Sequence, residues 1–220
     1  MQPFNEYTDQ LFKPLGIQND RIATFSCGHI IPKSNLFALA LGTGPCGNNL
    51  TYTFQNQNSK TIIEETGRLI ANVCNIIPGG IVCFFPSYKF EDKLYQHWDK
   101  SGIIKTIESK NRRIFREPKN ANQVMNTLTD YSRCVRLAKS GGGAILFSIV
   151  GGKMSEGINF SDDLGRCVIM IGLPYANRTS SELQLRMNHL ESISKGAGKV
   201  NGMTSFTNNY NFVFIISDSL

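Results

Sequence analysis

One twelve-residue segment of this chain concentrates side chains suited to charged oxygen ligands: Gly151-Gly152-Lys153-Met154-Ser155-Glu156-Gly157-Ile158-Asn159-Phe160-Ser161-Asp162. Its glycines let the backbone approach a ligand closely, while an ammonium, a hydroxyl, a carboxylate and a carboxamide stand within a few residues of one another. Such a loop can meet a phosphate or a ribose from several directions, although a polar surface loop with a glycine turn has the same composition. Other candidates fit their chemistry less well. A P-loop requires G-x-x-x-x-G-K-[ST], because amides freed by the glycines wrap the phosphates while lysine and hydroxyl serve phosphate and magnesium. The nearest approach, Gly196-Ala197-Gly198-Lys199-Val200, has Ile193 for the first glycine and Val200 for the hydroxyl. The cluster from Gly42 to Gly47 lacks a lysine and reads as a turn. His29, His97 and His189 are not at metal-ligand spacing and the six cysteines form no C-x-x-C pair, so no zinc site is expected.

The elements that must position the segment follow from hydrophobic patterning. Gly80 to Phe85, Ala144 to Val150 and Arg166 to Gly172 are short, nearly unbroken apolar runs. Between them lie helical patterns. Thr61 to Ile77 places Ile62, Thr66, Leu69, Ile70, Val73, Cys74 and Ile77 on one face and stops at Pro78-Gly79-Gly80; Tyr88 to Lys100 aligns Leu94, Tyr95 and Trp98. Asn120 to Lys139 turns Val124, Leu128, Tyr131 and Val135 inward, Ser181 to Ser192 reads as a further helix, and Arg112 to Phe115 reads as a short strand. Apolar strands alternating with helices imply an α/β fold whose mainly parallel sheet is covered on both faces. Ligands of such sheets bind beyond the carboxyl ends of the strands, which selects the loops starting at Pro86, Gly151 and Pro174. Leu36 to Leu41 and Leu50 to Phe54 flank the glycine cluster and read as a hairpin or an edge pair. The tail from Lys195 carries one apolar run, Phe212 to Ile216, whose place in the sheet the pattern does not define.

A chain of 220 residues, 41% hydrophobic and 18% charged, has the makings of one large or two small globular domains and not of collagen, coiled coil or mucin. No apolar run nears the roughly 18 residues of a membrane span, and Met1 to Glu6 lacks the pattern of a signal peptide, so a soluble intracellular protein with no membrane partner is expected. Cys83 and Cys167 lie inside apolar runs and read as reduced, buried thiols. The net charge of +6 is local: Lys105 to Lys139 holds nine basic and three acidic residues, and the rest of the chain balances at fourteen of each. That stretch reads as a solvated face, with phosphate contact as the alternative.

Residues Gly151 to Asp162, taken with Gly165 to Tyr175, closely resemble helicase motif V and its following strand in the XPD-like iron–sulphur DNA helicases of superfamily 2. Ile81-Val82-Cys83-Phe84-Phe85-Pro86-Ser87-Tyr88 is similar to their motif IV, and Phe25-Ser26-Cys27-Gly28-His29-Ile30-Ile31-Pro32 to the entry into their second motor lobe. The likeness covers about residues 1 to 193 and is closest to the branch that serves sister-chromatid cohesion. It implies a RecA-like second helicase lobe that closes over ATP and magnesium held by a first lobe and ratchets along single-stranded or forked DNA in the nucleus, beside replication or cohesion proteins. Carried over by position, Glu156, Gly157 and Asn159 face the nucleotide cleft, while Ser87, Tyr88, Lys153 and Ser155 lie near the DNA backbone. Local alternatives stay open: Glu156 bracing its own loop, Asn159 fixing a turn, Tyr88 serving as a core aromatic.

The resemblance also has gaps. The chain lacks the P-loop, the D-E-A-H box and the four cysteines that hold the family's 4Fe-4S cluster in its first lobe. Met1-Gln2-Pro3 matches an internal family motif, so the expected organisation is residues 1 to 32 as the end of the link between lobes, 33 to 194 as the lobe, and 195 to 220 as a divergent tail without motif VI. On this reading the chain is a truncated motor lobe, inactive alone. The alternatives are a non-enzymatic interaction or inhibitory fragment of the same family, and an incomplete reading frame. A small-molecule enzyme on a Rossmann-like sheet would need a G-x-G-x-x-G turn opening a helix, and the chain offers no convincing case.

Overall fold

A strand that is apolar on both faces has no side to turn to water, and the three apolar runs accordingly lie side by side within a six-stranded sheet in the computed structural model of the chain. The structure describes residues 16–23, 25, 28, 32–53, 56, 58–138, 142–154, 160, 162–172, 184–185, 188 and, as backbone, 213–218. The strands are β1 Leu36–Leu41, β2 Gly79–Phe85, β3 Arg112–Arg116, β4 Gly143–Ile149, β5 Cys167–Ile171 and β6 Val213–Asp218; the helices are α1 Lys60–Ile76, α2 Tyr88–Lys100, α3 Ile103–Glu108 and α4 Val124–Leu137. The sheet order is β1-β6-β5-β2-β4-β3. Strands β5, β2, β4 and β3 are parallel, with Ile81 level with both Cys167 and Ile145, and Ile145 level with Ile114; β6 runs antiparallel to β5 and β1. Contacts divide the chain into Met1–Pro32, where Asn19–Arg21 forms a 3-10 turn, and Lys33–Leu220, which holds the sheet.

The side-chain period of two sorts each central strand between two apolar clusters. Ile81, Cys83, Phe85, Ile145, Phe147, Ile149, Cys167, Ile169 and Ile171 join the faces of α1, α2 and α3, while Ala144, Leu146 and Phe115 meet Tyr131 and Val135 of α4 on the other side. The distribution follows from handedness. Passing from β2 to β3 skips the place that β4 later fills, and the return from β3 to β4 runs the opposite way, so two right-handed crossovers put α2 and α3 on one face and α4 on the other. Trp98 anchors the first face, fully buried against Phe85 and Phe147, with its indole N–H donating to the Ile63 carbonyl at 2.7 Å. Cys83 and Cys167 are fully buried, as their apolar runs predict, and burial pushes the Cys167 thiol up to about 12 and the Cys83 thiol well above its usual range.

The amino end of the parallel sheet is closed by polar groups. Arg112, 2% exposed, donates to the Cys74 carbonyl at 2.7 Å and the Gly79 carbonyl at 2.9 Å. Cys74 lies in the last turn of α1, where carbonyls lack intrahelical donors, so this guanidinium serves as a side-chain cap from a distant strand. Tyr131 reaches the same end and donates to the Leu164 carbonyl at 2.6 Å, and Gly80 lies so close to both Leu164 and the tyrosine hydroxyl that a side chain there has no room.

Several expectations change. Among the described residues, pairing across the glycine cluster is confined to its base, where Thr43 and Asn49 bridge and the Leu50 amide donates to the Gly42 carbonyl, and β1 pairs over its length with β6, so the tail's apolar run is part of the sheet. The helix expected from Asn120 starts as a 3-10 turn over Ala121–Gln123 and continues as α4 only to Leu137. Helix α3 was not expected at all. Of the helix expected over Ser181 to Ser192, the described residues Gln184, Leu185 and Asn188 are helical.

Candidate functional site

Strands β2 and β4 are neighbours, yet the chain leaves their carboxyl ends toward opposite faces of the sheet. Such a divergence is the place at which α/β sheets characteristically bind ligands. On one side stands the amino end of α2. Ser87 is its N-cap, its hydroxyl oxygen accepting from the Phe90 amide at 3.2 Å, while helix geometry leaves the Tyr88 and Lys89 amides without intrahelical acceptors. On the other side the loop after β4 opens with Gly151 at φ +67 and empty space where a side chain would project, so a ligand there meets bare backbone.

Between the two loops sits Glu117, the first residue after β3. It is 7% exposed, and its carboxylate accepts four hydrogen bonds from three stretches of chain. One oxygen takes the Tyr88 hydroxyl at 2.5 Å and the Lys153 amide at 2.8 Å; the other takes the Ser148 hydroxyl at 2.7 Å and the Ile149 amide at 2.9 Å. Burial alone pushes a carboxyl upward, but these donors outweigh it and hold Glu117 below the usual carboxylate range. Burial, followed by the hydrogen bond to Glu117 and its negative charge, pushes the Tyr88 phenol up to about 12. Sequence reading counted Glu117 only as one of three acids in a basic stretch. Its position directly after the short strand Arg112–Arg116, at the ligand-bearing end of the sheet, was the available signal.

The expected site residues fall into two groups. Ser87, Tyr88 and Lys153 are brought together: the Lys153 ammonium lies 5.6 Å from the centre of the Tyr88 ring and donates to the Lys119 carbonyl at 2.9 Å. Ser155, Glu156, Gly157 and Asn159 lie outside the described residues, as does His29. Among the described residues, no grouping of three or more His, Cys, Asp or Glu side chains is placed to hold a metal ion.

Two other sequence features resolve into architecture. The glycine cluster wraps the buried Glu65 of α1, which accepts from the Cys46 amide at 2.9 Å and the Asn48 side-chain amide at 3.0 Å, so its polar groups serve the fold. The basic stretch is partly consumed in the same way. Arg112 is the buried cap, and Arg116 forms a two-pronged pair with Glu91 at 2.7 and 2.8 Å, reaches Asp92 at 2.8 Å, and lies over the Tyr95 ring. Lys105, Lys110, Arg113, Lys119 and Arg136 are exposed.

Residues 70–211 match the family described as the helicase C-terminal domain, a match that runs past Lys195 into the tail. The chain is 51% identical over 195 residues to the ATP-dependent DNA helicase DDX11 of Danio rerio, covering 87% of this chain and 22% of that protein. It is 44% identical to the protein of the same name from Homo sapiens, covering 87% of this chain and 20% of that one. With the ATP-dependent DNA helicase CHL1 of Debaryomyces hansenii the identity is 42% over 214 residues, 96% of this chain and 25% of the relative. The chain thus spans between a fifth and a quarter of the length of these relatives. Its parallel sheet, helices on both faces and motif V-like loop at the carboxyl end of β4 agree with that match, and the chain belongs to the helicase C-terminal domain family, whose fold is RecA-like.

Proposed function

We propose that this chain is the C-terminal motor lobe of an ATP-dependent DNA helicase, working against a first lobe to couple ATP hydrolysis to movement along single-stranded or forked DNA. The observation that carries the reading is the meeting of Tyr88 and Lys153, from loops after two adjacent parallel strands, on one carboxylate at the ligand-bearing end of the sheet. Glu156, Gly157 and Asn159 line the nucleotide side, and Ser87, Tyr88, Lys153 and Ser155 the DNA side. Bound ATP with its magnesium supplies the free energy of phosphoryl transfer, and the first lobe holds its phosphates. The residues of this lobe orient and close, and catalysis of this kind rests on such positioning. The open space around Gly151 leaves its backbone accessible to an anionic ligand. Hydroxyls, first-turn amides and a lysine grip a strand without reading its sequence. Residues 33 to 194 form the body of the lobe, after a linking segment 1 to 32, and the tail 195 to 220 adds β6 to its sheet; the protein acts in the nucleus with replication or cohesion proteins.

The test is fluorescence anisotropy of a labelled oligo-dT titrated with the purified chain at several salt concentrations, beside an ATPase assay. The expected result is salt-sensitive binding without ATP turnover, and Lys153→Ala reducing the slope of log affinity against log salt by about 0.7, the share of one phosphate contact on a single strand. Absence of DNA binding, or DNA-stimulated turnover by the chain alone, refutes the proposal.

A further inference from the structure

Loops that serve one ligand path must move together if a lobe is to act as a motor, and backbone continuity does not join these two. The loop after β2 enters α2, and the loop after β4 begins more than fifty residues later on the opposite face. Among the described residues, a backbone bond from the Val150 amide to the Phe85 carbonyl at 2.9 Å joins them, and the Lys153 ammonium stands over the Tyr88 ring. Glu117 joins them through hydrogen bonds to both loops. Its oxygens are divided so that one side chain reports on both loops: one oxygen is shared between the Tyr88 hydroxyl, after β2, and the Lys153 amide, after β4, while the other holds the end of β4 through Ser148 and Ile149. Glu117 is itself fixed, because its amide donates to the Phe147 carbonyl at 2.8 Å. A neutral amide cannot replace this carboxylate. Glutamine has one acceptor oxygen, and its NH2 group must face backbone or hydroxyl donors on the other side.

We propose that Glu117 is a positioning residue, a clasp that transmits displacement of the loop bearing Tyr88 to the loop bearing Lys153, the same loop whose sequence continues into the nucleotide-side residues Glu156, Gly157 and Asn159. The clasp rests on the reading of these loops given above. Its coupling is measurable without any ligand.

The experiment is amide hydrogen exchange on the whole 220-residue chain and on its Tyr88→Phe, Glu117→Gln and double variants. In Tyr88→Phe, the Lys153 amide, which shares an oxygen with the missing hydroxyl, is expected to exchange about fivefold faster, the factor set by one lost hydrogen bond, while amides inside β2 keep their rates. In Glu117→Gln the Ile149 or Lys153 amide loses its acceptor, and adding Tyr88→Phe changes the loop by less than about twofold. An unchanged Lys153 rate in Tyr88→Phe, or additive effects in the double variant, overturns the clasp. If Glu117→Gln does not fold, Tyr88→Phe alone decides. Wild-type binding of oligo-dT is measured in parallel. If the chain binds no DNA, the motor-lobe reading falls whatever the exchange shows; if it binds DNA with no coupling, only the clasp falls.

Discussion

Replacing Arg112 by methionine keeps most of the buried volume while removing both hydrogen bonds that the guanidinium donates. The Cys74 carbonyl left behind in the last turn of α1 is buried, so water does not readily replace its lost donor, while the Gly79 carbonyl at the start of β2 is part-buried. A hydrogen bond from a charged donor contributes about 1.5–3 kcal/mol, and a buried acceptor left unpaired costs about 1–3 kcal/mol. Against this, the variant no longer buries a cation, whose desolvation opposes its charged state and lowers the Arg112 pKa. The balance is a loss of about 3 kcal/mol, a large share of the 5–15 kcal/mol typical of a domain. Urea unfolding followed by the fluorescence of Trp98, the chain's single tryptophan and fully buried, measures it directly. With a slope of about 3 kcal/mol per molar, the midpoint falls by about 1 M at unchanged slope. Arg112→Lys recovers part of the loss, since one ammonium cannot span both carbonyls with the geometry of the planar fork. A midpoint for Arg112→Met within about 0.2 M of the parent refutes the assignment of this side chain as a cap.

Two further perturbations follow from groups already described. Glu65 and Glu117 are both held below the usual carboxylate range by amide and side-chain donors that outweigh burial. Their folded values lie below an unfolded value of about 4.3, so the stability they contribute is fully present above that pH and is lost as pH falls through the folded values; Glu117→Gln flattens this loss in urea midpoints taken from pH 7 to pH 3. Gly67 lies in the interior of α1, where alanine ordinarily gains up to about 1 kcal/mol, yet a Cβ there sits 2.5 Å from the Trp98 indole nitrogen and 2.9 Å from Ile103. Gly67→Ala is therefore destabilising, with a shift of Trp98 emission in the folded state as the separate sign of a displaced indole.

Patterns that repeat within a few residues were legible, and those closed over long distances were not. The apolar runs of β2, β4 and β5 and the faces of α1 and α2 come from local periodicity, and the structure places them within one or two residues of expectation. Helix α3 escaped because six residues hold too few periods to show; only Ile104 and Ile107 are buried. The partner of Leu36–Leu41 escaped because an apolar strand does not specify which other strand it joins, and the glycine turn offered a nearby partner that β6 replaces. Glu117 has the same explanation in polar form. Its four donors are 29 to 36 residues away along the chain, so nothing around it distinguishes it from a solvated acid. The chemistry of the loop from Gly151 was legible as a set of residue types, whereas what anchors its first turn was not.

The tightly closed amino end of the sheet divides the lobe mechanically. With Arg112 and Tyr131 tying helix and loop carbonyls together there, and no room for a side chain at Gly80, that end is the clamped root of a reed whose tip, the carboxyl ends of β2 and β4, is held by the side chain of Glu117. Substitutions at the two ends of the sheet therefore have different consequences: at the root they fall on fold stability, and at the tip, as at Glu117, on the timing of a motion as well, so that a variant can fold and still fail to work.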